Sequence, residues 1–253
     1  MPLVELNGIR INYEVEGQGE PLVMIMGFSA TLSGWTTQVP FFRKYYRVVT
    51  FDNRGVGKSD KPQGPYSTKM MADDTVRLMD LLGIEKAHIM GASMGGMIAQ
   101  ELAINYPQRV MKLVLACTYA CQDEASGGTS QPTAGEMASA VIGLAFNKPL
   151  YRFAFGLLGR IQLIFMGASD VVGIAGQGEA CRKHNTLERL SSITAPTLVI
   201  VGTEDRLINP VSSEVIAGKI SNAKLVKVEG GSHAFNFEMK DAYNREVLNF
   251  LKN

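Results

Sequence analysis

Three cysteines in 253 residues are too few, and too unevenly placed, to staple this chain. Cys117, Cys121 and Cys181 are an odd number with no pairing pattern, which points to reduced thiols and a cytoplasmic location. No C-x-x-C pair occurs, and with three histidines in the whole sequence no Cys/His set exists to complete a zinc site. Net charge is almost missing as well. Against 24 acidic residues stand 25 basic ones, so nothing argues for nucleic acid or an anionic membrane as a partner. A long uncharged apolar run is also lacking. The most apolar region, 150–168, carries Arg152, Arg160 and Gln162 and does not read as a membrane span. The beginning, Val4-Glu5-Leu6-Asn7-Gly8-Ile9, has neither a basic n-region nor an apolar h-region, so no secretory signal is expected. No repeat or low-complexity tract is present. Gly55 and Gly57 alone do not make a G-x-G-x-x-G dinucleotide site, so neither a cofactor nor a metal is expected.

What the chain does have is a hydrophobic content of 46%, enough for one large domain with a smaller insertion. Leu3–Leu6 and Ile9–Val15 alternate around Asn7-Gly8 and predict a hairpin. Short apolar runs predict further strands at 21–26, 46–52, 86–90, 112–116, 196–202 and 224–228. Helical periodicity covers Met71–Leu82, stopping at Gly83, and returns at Met97, Ile98, Leu102 and Ile104 before Tyr106-Pro107. Shorter helices are expected at 211–219 and 241–251. Strands alternating with helices imply a mainly parallel sheet covered on both faces. Residues 121–186 break the alternation. Their first part is polar and rich in Gly, Ser and Thr, 136–168 is mostly apolar, and 170–178 is too glycine-rich to assign. The expected division is a core of 1–120 and 187–253 with a helical cap over 121–186.

The sharpest signal is Gly91-Ala92-Ser93-Met94-Gly95. A G-x-S-x-G pentapeptide alone is weak, because glycine and serine are common. Here a buried strand precedes it and a helix follows, which puts the serine on a tight turn with its hydroxyl pushed out of the sheet. Serine needs a base. His88 lies inside the strand feeding Ser93 and reads as packed. His184, expected just before a strand, reads as structural. His233 stands in the glycine loop Glu229-Gly230-Gly231-Ser232-His233 after the last strand, where an imidazole reaches the carboxyl edge of the sheet. A carboxylate must hold that imidazole. Glu204 and Asp205, in Gly202-Thr203-Glu204-Asp205-Arg206, both qualify, with Asp205 further out on its loop, and Asp123 is a third candidate. Acyl transfer also needs oxyanion donors. These are expected from the backbone N–H of Met94, next after the serine, and of Phe28, in the loop Met26-Gly27-Phe28-Ser29.

The chain order Ser93, Asp205, His233 belongs to one family. With Phe51-Asp52-Asn53-Arg54-Gly55-Val56-Gly57-Lys58-Ser59-Asp60, Val201–Asp205 and Gly230–His233, the sequence resembles the α/β-hydrolases over nearly its whole length apart from the insertion. It is most similar to the subgroup of 3-oxoadipate enol-lactonases, small carboxylesterases and cofactor-free haloperoxidase-type esterases. The resemblance implies an eight-stranded, mainly parallel sheet with helices on both faces and a helical cap. It also implies Ser93 as nucleophile, Asp205 as acid, His233 as base, and Phe28 and Met94 at the oxyanion positions. One residue departs from the family: many members carry His-Gly, with the histidine anchoring the oxyanion loop, where this chain has Met26-Gly27.

The function so implied is a serine hydrolase, of the carboxylesterase type, that cleaves a small to medium, largely apolar ester or lactone through an acyl-enzyme on Ser93. A serine rather than an aspartate at the elbow argues against dehalogenase and epoxide hydrolase chemistry. Phe146, Tyr151, Phe153, Phe155, Leu157, Leu158, Ile161, Phe165 and Met166 would supply apolar surface for cap core and substrate pocket. Arg152 and Arg160 would serve a substrate carboxylate or simply face solvent. Carbon–carbon bond hydrolysis or a lyase on the same triad, and a ligand receptor with little turnover, are the alternatives.

Overall fold

The computed structural model describes residues 3–122, 144–151, 153, 154 and 167–253. Eight strands form one sheet: β1 (Leu3–Leu6), β2 (Ile9–Glu16), β3 (Pro21–Ile25), β4 (Arg47–Phe51), β5 (Ala87–Ala92), β6 (Val110–Ala116), β7 (Thr197–Gly202) and β8 (Ala223–Val228). Their order across the sheet is β1-β2-β4-β3-β5-β6-β7-β8. β2 pairs antiparallel with β1 and β4, and β3 to β8 are parallel. The strand sequence turns back on itself around β3, with β4 on one side and β5 on the other. Such reversals open a crevice at the carboxyl ends of the strands, where ligands bind in open sheets.

Period-2 alternation divides the inward side chains between two cores. Val23, Ile25, Ile89, Leu113, Leu115 and Val199 belong to one, with helices α2 (Thr68–Leu81) and α3 (Met94–Asn105) packed over it through Met71, Leu78, Met97 and Leu102. Leu22, Met24, Met90, Val114, Leu198 and Ile200 belong to the other. It is covered by Trp35, by Phe42 of α1 (Val39–Phe42) and by Tyr243 and Val247 of a C-terminal helix (Lys240–Lys252). Continuous burial along β5 and β7 explains why these strands read as apolar runs rather than alternations.

The unassignable glycine-rich stretch is helical: α4 spans Ala168–Arg182. Gly173, Gly176 and Gly178 lower its intrinsic propensity by roughly 1 kcal/mol each. Packing explains two of them. A Cβ on Gly173 would lie 2.0 Å from the Gly55 carbonyl oxygen, and one on Gly176 would lie 2.6 Å from the Tyr66 ring. Three further helices follow: α5 (Val211–Lys219), α6 (Phe235–Glu238) and α7 (Lys240–Lys252). Among the described residues no helix is long and apolar enough to cross a membrane. Asp123, Arg152, Arg160, Phe155, Leu157, Leu158, Ile161, Phe165 and Met166 lie outside the described residues.

His184 follows α4 and ties it to the core. It is followed by an isolated bridge, Cys121 to Asn185, and a 3-10 turn, Leu187–Ser192, not by the expected strand. Its Nδ1 is 2.9 Å from Thr68 Oγ1 and its Nε2 is 3.3 Å from Thr186 Oγ1, while Thr186 donates to Gln100 Oε1 at 2.6 Å. Burial pushes this imidazole down from 6.5 to about 4. The unfolded chain therefore takes up a proton below about pH 6.5 that the folded one refuses until about pH 4. Stability should fall over that window as pH drops, by about 3 kcal/mol at most, and level off below it. Urea titrations of the wild type and His184→Gln between pH 7 and 4 check this: the variant should lose less stability across the window.

Candidate active site

The loops that carry Gly27, Ser93, Asp205 and His233 follow parallel strands β3, β5, β7 and β8 and so lie at the carboxyl edge of the sheet. Ser93 joins β5 to α3 with φ 55° and ψ −122°, a conformation that costs a non-glycine residue on the order of 1–3 kcal/mol. Its N–H donates to the Ala116 carbonyl at 2.9 Å, and its carbonyl accepts from Gly96 N–H and from Thr118 Oγ1, both at 2.8 Å. The flanking glycines are there because nothing else fits. A Cβ on Gly91 would lie 2.2 Å from the Gly95 carbonyl oxygen, and one on Gly95 would lie 2.0 Å from that of Ile25. Both collisions are with backbone, which cannot swing aside. Gly95→Ala should therefore destabilise the fold by about 3 kcal/mol or more. A urea midpoint within error of the wild type would contradict that packing.

Asp205 and His233 meet across the ends of β7 and β8. Gly202 makes this possible, since a Cβ there would lie 2.2 Å from the Gly231 carbonyl oxygen. The two loops then pair directly: Glu204 N–H donates to Gly231 O at 2.8 Å and Gly230 N–H to Thr203 Oγ1 at 2.9 Å. His233 Nδ1 is 2.8 Å from Asp205 Oδ2. Asp205 Oδ1 accepts the N–H groups of Leu207 and Ile208, each at 2.9 Å. The Asp205 side chain is fully buried, and these three donors offset the loss of water. A carboxylate only accepts, so Nδ1 carries the proton of the neutral ring and Nε2 is left as the free base. Glu204 is exposed and accepts from Asn147 Nδ2 at 3.0 Å, away from the imidazole.

Gly27 brings the other loop against the serine. A Cβ on it would lie 3.0 Å from Ser93 Cβ and 3.5 Å from Ser93 Oγ. Among the described residues, neither the Phe28 nor the Met94 N–H has a hydrogen-bond acceptor. Met26, standing where many members of the resembled family carry histidine, packs its side chain on Gly34: a Cβ there would lie 2.7 Å from Met26 Cε. Its carbonyl accepts from Asn53 Nδ2 at 3.0 Å. The Asp52–Asp60 segment braces the same region. Asp52 accepts from Leu32 N–H at 2.8 Å and from Lys58 N–H at 2.9 Å, and Arg54 grips Asp74 at 2.6 and 2.7 Å.

Two site neighbours escaped sequence reasoning. Glu238 accepts from Ser232 Oγ at 2.5 Å and from the N–H of Lys148 at 2.7 Å, while Ala234 N–H donates to Ala145 O at 2.8 Å. The 145–148 segment is thereby tied to the loop that carries His233. Gln177 of α4 is the second, and its contacts are described below. Neither belongs to a motif, and only the folded chain brings them near.

Two further titratable groups are buried on the elements around the serine. His88 is buried on β5, with Nε2 3.3 Å from Glu20, and burial lowers its pKa. Cys117, next to the serine loop, is fully buried, and that burial pushes its thiol well up. A groove of about 530 Å³ lined by Tyr13, Glu14, Val15, Glu16, Arg47 and Leu82 sits beside the antiparallel pair of β2 and β4 and includes none of Ser93, Asp205 and His233. Among the described residues, no three His, Cys, Asp or Glu side chains stand close enough to hold a metal ion.

A model of the alpha/beta hydrolase fold matches residues 20–152. A putative carbamate hydrolase, RutD, of Azorhizobium caulinodans is 27% identical over 99% of this chain and 98% of its own length. 3-Oxoadipate enol-lactonase 2 of Acinetobacter baylyi is 28% identical over 96% and 94%. Among solved structures, the enol-lactonase from Burkholderia xenovorans superposes with a TM-score of 0.87 at 28% identity, covering 100% of both chains. An N-acyl homoserine lactone degrading enzyme gives 0.84 at 30%, over 98% and 100%. A meta-cleavage product hydrolase from Pseudomonas fluorescens gives 0.84 at 26%, over 100% and 97%.

Proposed function

This chain belongs to the alpha/beta hydrolase family, and on that premise we propose that it cleaves a carboxylic ester or lactone of a small to medium, largely apolar substrate through an acyl-enzyme on Ser93. The observation that carries this reading is the His233–Asp205 pair, at 2.8 Å, on the same sheet edge as a serine held in a strained elbow. His233 Nε2 takes the Ser93 proton as Oγ attacks the carbonyl carbon. The Phe28 and Met94 N–H groups receive the oxyanion. The protonated imidazole gives its proton to the leaving alcohol, and water repeats the cycle to free the acid. Asp205 holds the imidazole through Nδ1 and stabilises its protonated form. No cofactor is needed.

Residues 1–120 and 187–253 form the catalytic core in this reading, and 121–186 form a cap that selects the substrate. Phe146 and Tyr151 stack with ring centroids 6.0 Å apart and supply apolar surface near the 145–148 segment bound to the His233 loop. Lactone chemistry draws support from the two lactone-cleaving neighbours. Buried free thiols at Cys117 and Cys181 fit a reducing, cytoplasmic setting. Carbon–carbon bond hydrolysis on the same residues is the second reading, favoured by the likeness to the meta-cleavage product hydrolase.

A substrate panel separates the readings: p-nitrophenyl acetate to octanoate, an aliphatic lactone, an N-alkyl carbamate and a vinylogous diketone. Each is assayed with the wild type and Ser93→Ala. Serine-dependent turnover of the esters or lactone is expected. Cleavage of the diketone with no ester turnover would replace the proposal by carbon–carbon hydrolysis, and carbamate cleavage alone would replace it by amide-type chemistry. Tight binding with negligible turnover would make the protein a receptor.

A further inference from the structure

We propose that Gln177 is a positioning residue that sets the oxyanion loop from across the molecule. The inference rests on the acyl-transfer reading and names what holds its Phe28 donor in place. Gln177 lies on α4, 148 positions beyond Ser29, and is fully buried. Its Oε1 accepts the Ser29 N–H at 2.9 Å, and its Nε2 donates to the Arg54 carbonyl at 2.9 Å. One partner is purely a donor and the other purely an acceptor, so the amide has a single satisfactory orientation.

The bond to Ser29 falls at a strained place. Ser29 has φ 58°, in the left-handed region that a residue with a Cβ avoids. The peptide unit that Gln177 fixes joins Phe28 to Ser29, so its plane constrains the Phe28 backbone on its far side. Asn53 acts on the near side, donating Nδ2 to the Met26 carbonyl at 3.0 Å. Two buried amides thus bracket Gly27-Phe28, one at the carbonyl before it and one at the N–H after it. Met26 offers only a thioether packed on Gly34. The bracket holds the loop with no polar side chain at position 26.

Helix α4 can reach this loop only because its backbone touches the core. Gly173 abuts Gly55, the residue after Arg54, and Gly178 lies beside the Phe28 ring, with a Cβ there 3.7 Å from Phe28 Cε2. The oxyanion geometry therefore depends on how α4 seats against the 54–55 turn. Through that helix, the region assigned to the cap acts on the chemical step as well as on substrate choice.

Gln177→Met tests this, because methionine keeps length and volume while removing both bonds. Misplacing a catalytic group by about 1 Å costs on the order of 10²-fold in rate. Ester turnover is expected to lose about 10²-fold in kcat, with KM changed by less than about threefold, since the donor acts on the transition state. A trifluoromethyl ketone that forms a tetrahedral adduct on the serine should bind about 10²-fold more weakly, and the product acid should bind as before. Gln177→Glu, assayed at high pH where the carboxyl is ionised, keeps the acceptor for Ser29 but sets an oxygen against the Arg54 carbonyl, and about a tenfold loss in kcat is expected there. It decides the matter if Gln177→Met fails to fold. A wild-type kcat in either folded variant, or a change confined to KM, overturns the proposal. Ser93→Ala in the same assay keeps the two readings apart. If that variant turns over like the wild type, the acyl-enzyme reading fails. If it is inactive while Gln177→Met keeps its kcat, only the role of Gln177 fails.

Discussion

Ser93→Ala is expected to lower kcat/KM for p-nitrophenyl acetate by roughly a millionfold, to the level that binding and oxyanion donors sustain alone. The size follows from the arrangement. His233 Nε2 has no role without the Ser93 hydroxyl, and the hydroxyl is a poor nucleophile without the base. His233→Ala should therefore cost about as much, and the double variant little more than either single one. The loss should be chemical rather than structural. The elbow is held by Ser93 backbone bonds to Ala116, Gly96 and Thr118, which alanine keeps. Alanine also inherits the positive φ of 55°, so the strain is unchanged. Ser93→Gly would release that strain and should be more stable than Ser93→Ala by about 1–2 kcal/mol, with equally little activity. Stopped-flow and steady-state rates alongside urea midpoints check both halves. A Ser93→Ala protein with wild-type turnover would remove the serine from the mechanism.

The sequence was legible where one residue type is dictated by local geometry. Gly91 and Gly95 are forced by backbone oxygens at 2.2 and 2.0 Å, and Gly202 by the Gly231 carbonyl at 2.2 Å. Such contacts leave a pattern, glycine at fixed offsets beside short apolar strands, and the eight strands of the sheet were readable from it and from apolar runs. Long-range contacts leave no pattern. Gln177 meets Ser29 over 148 positions, and Glu238 meets Lys148 over 90. Helix α4 hid for the same reason, since glycines that weaken a helix in isolation are what let this one lie on Gly55 and Tyr66. Glu204 and Asp205 could not be separated by spacing alone. Their difference is that one side chain meets water and Asn147 while the other is buried among three donors.

That difference sets the expected result for Asp205→Asn, a loss of about 10⁴-fold in kcat with the fold intact. Asparagine has one oxygen and one NH₂ to place. The half-buried N–H of Leu207 and the buried N–H of Ile208 both need an acceptor, and only the amide oxygen can serve them. The oxygen must therefore keep the Oδ1 position, which points the NH₂ at His233 Nδ1. Two donors cannot face each other, so Nδ1 becomes the acceptor and the ring proton moves to Nε2. An Nε2–H cannot take a proton from Ser93. The loss is thus a wrong tautomer rather than a missing charge alone, and ¹⁵N shifts of the imidazole should report the switch. Asp205→Ala should behave differently. It strands the Leu207 and Ile208 N–H groups, so it should lose activity and also about 1–3 kcal/mol of stability for each donor left unpaired. Glu204→Gln should keep near-wild-type kcat, because that side chain is exposed and bonded to Asn147. If Glu204→Gln fell by the larger factor while Asp205→Asn kept its rate and its Nδ1–H tautomer, the acid would be the wrong one of two neighbours.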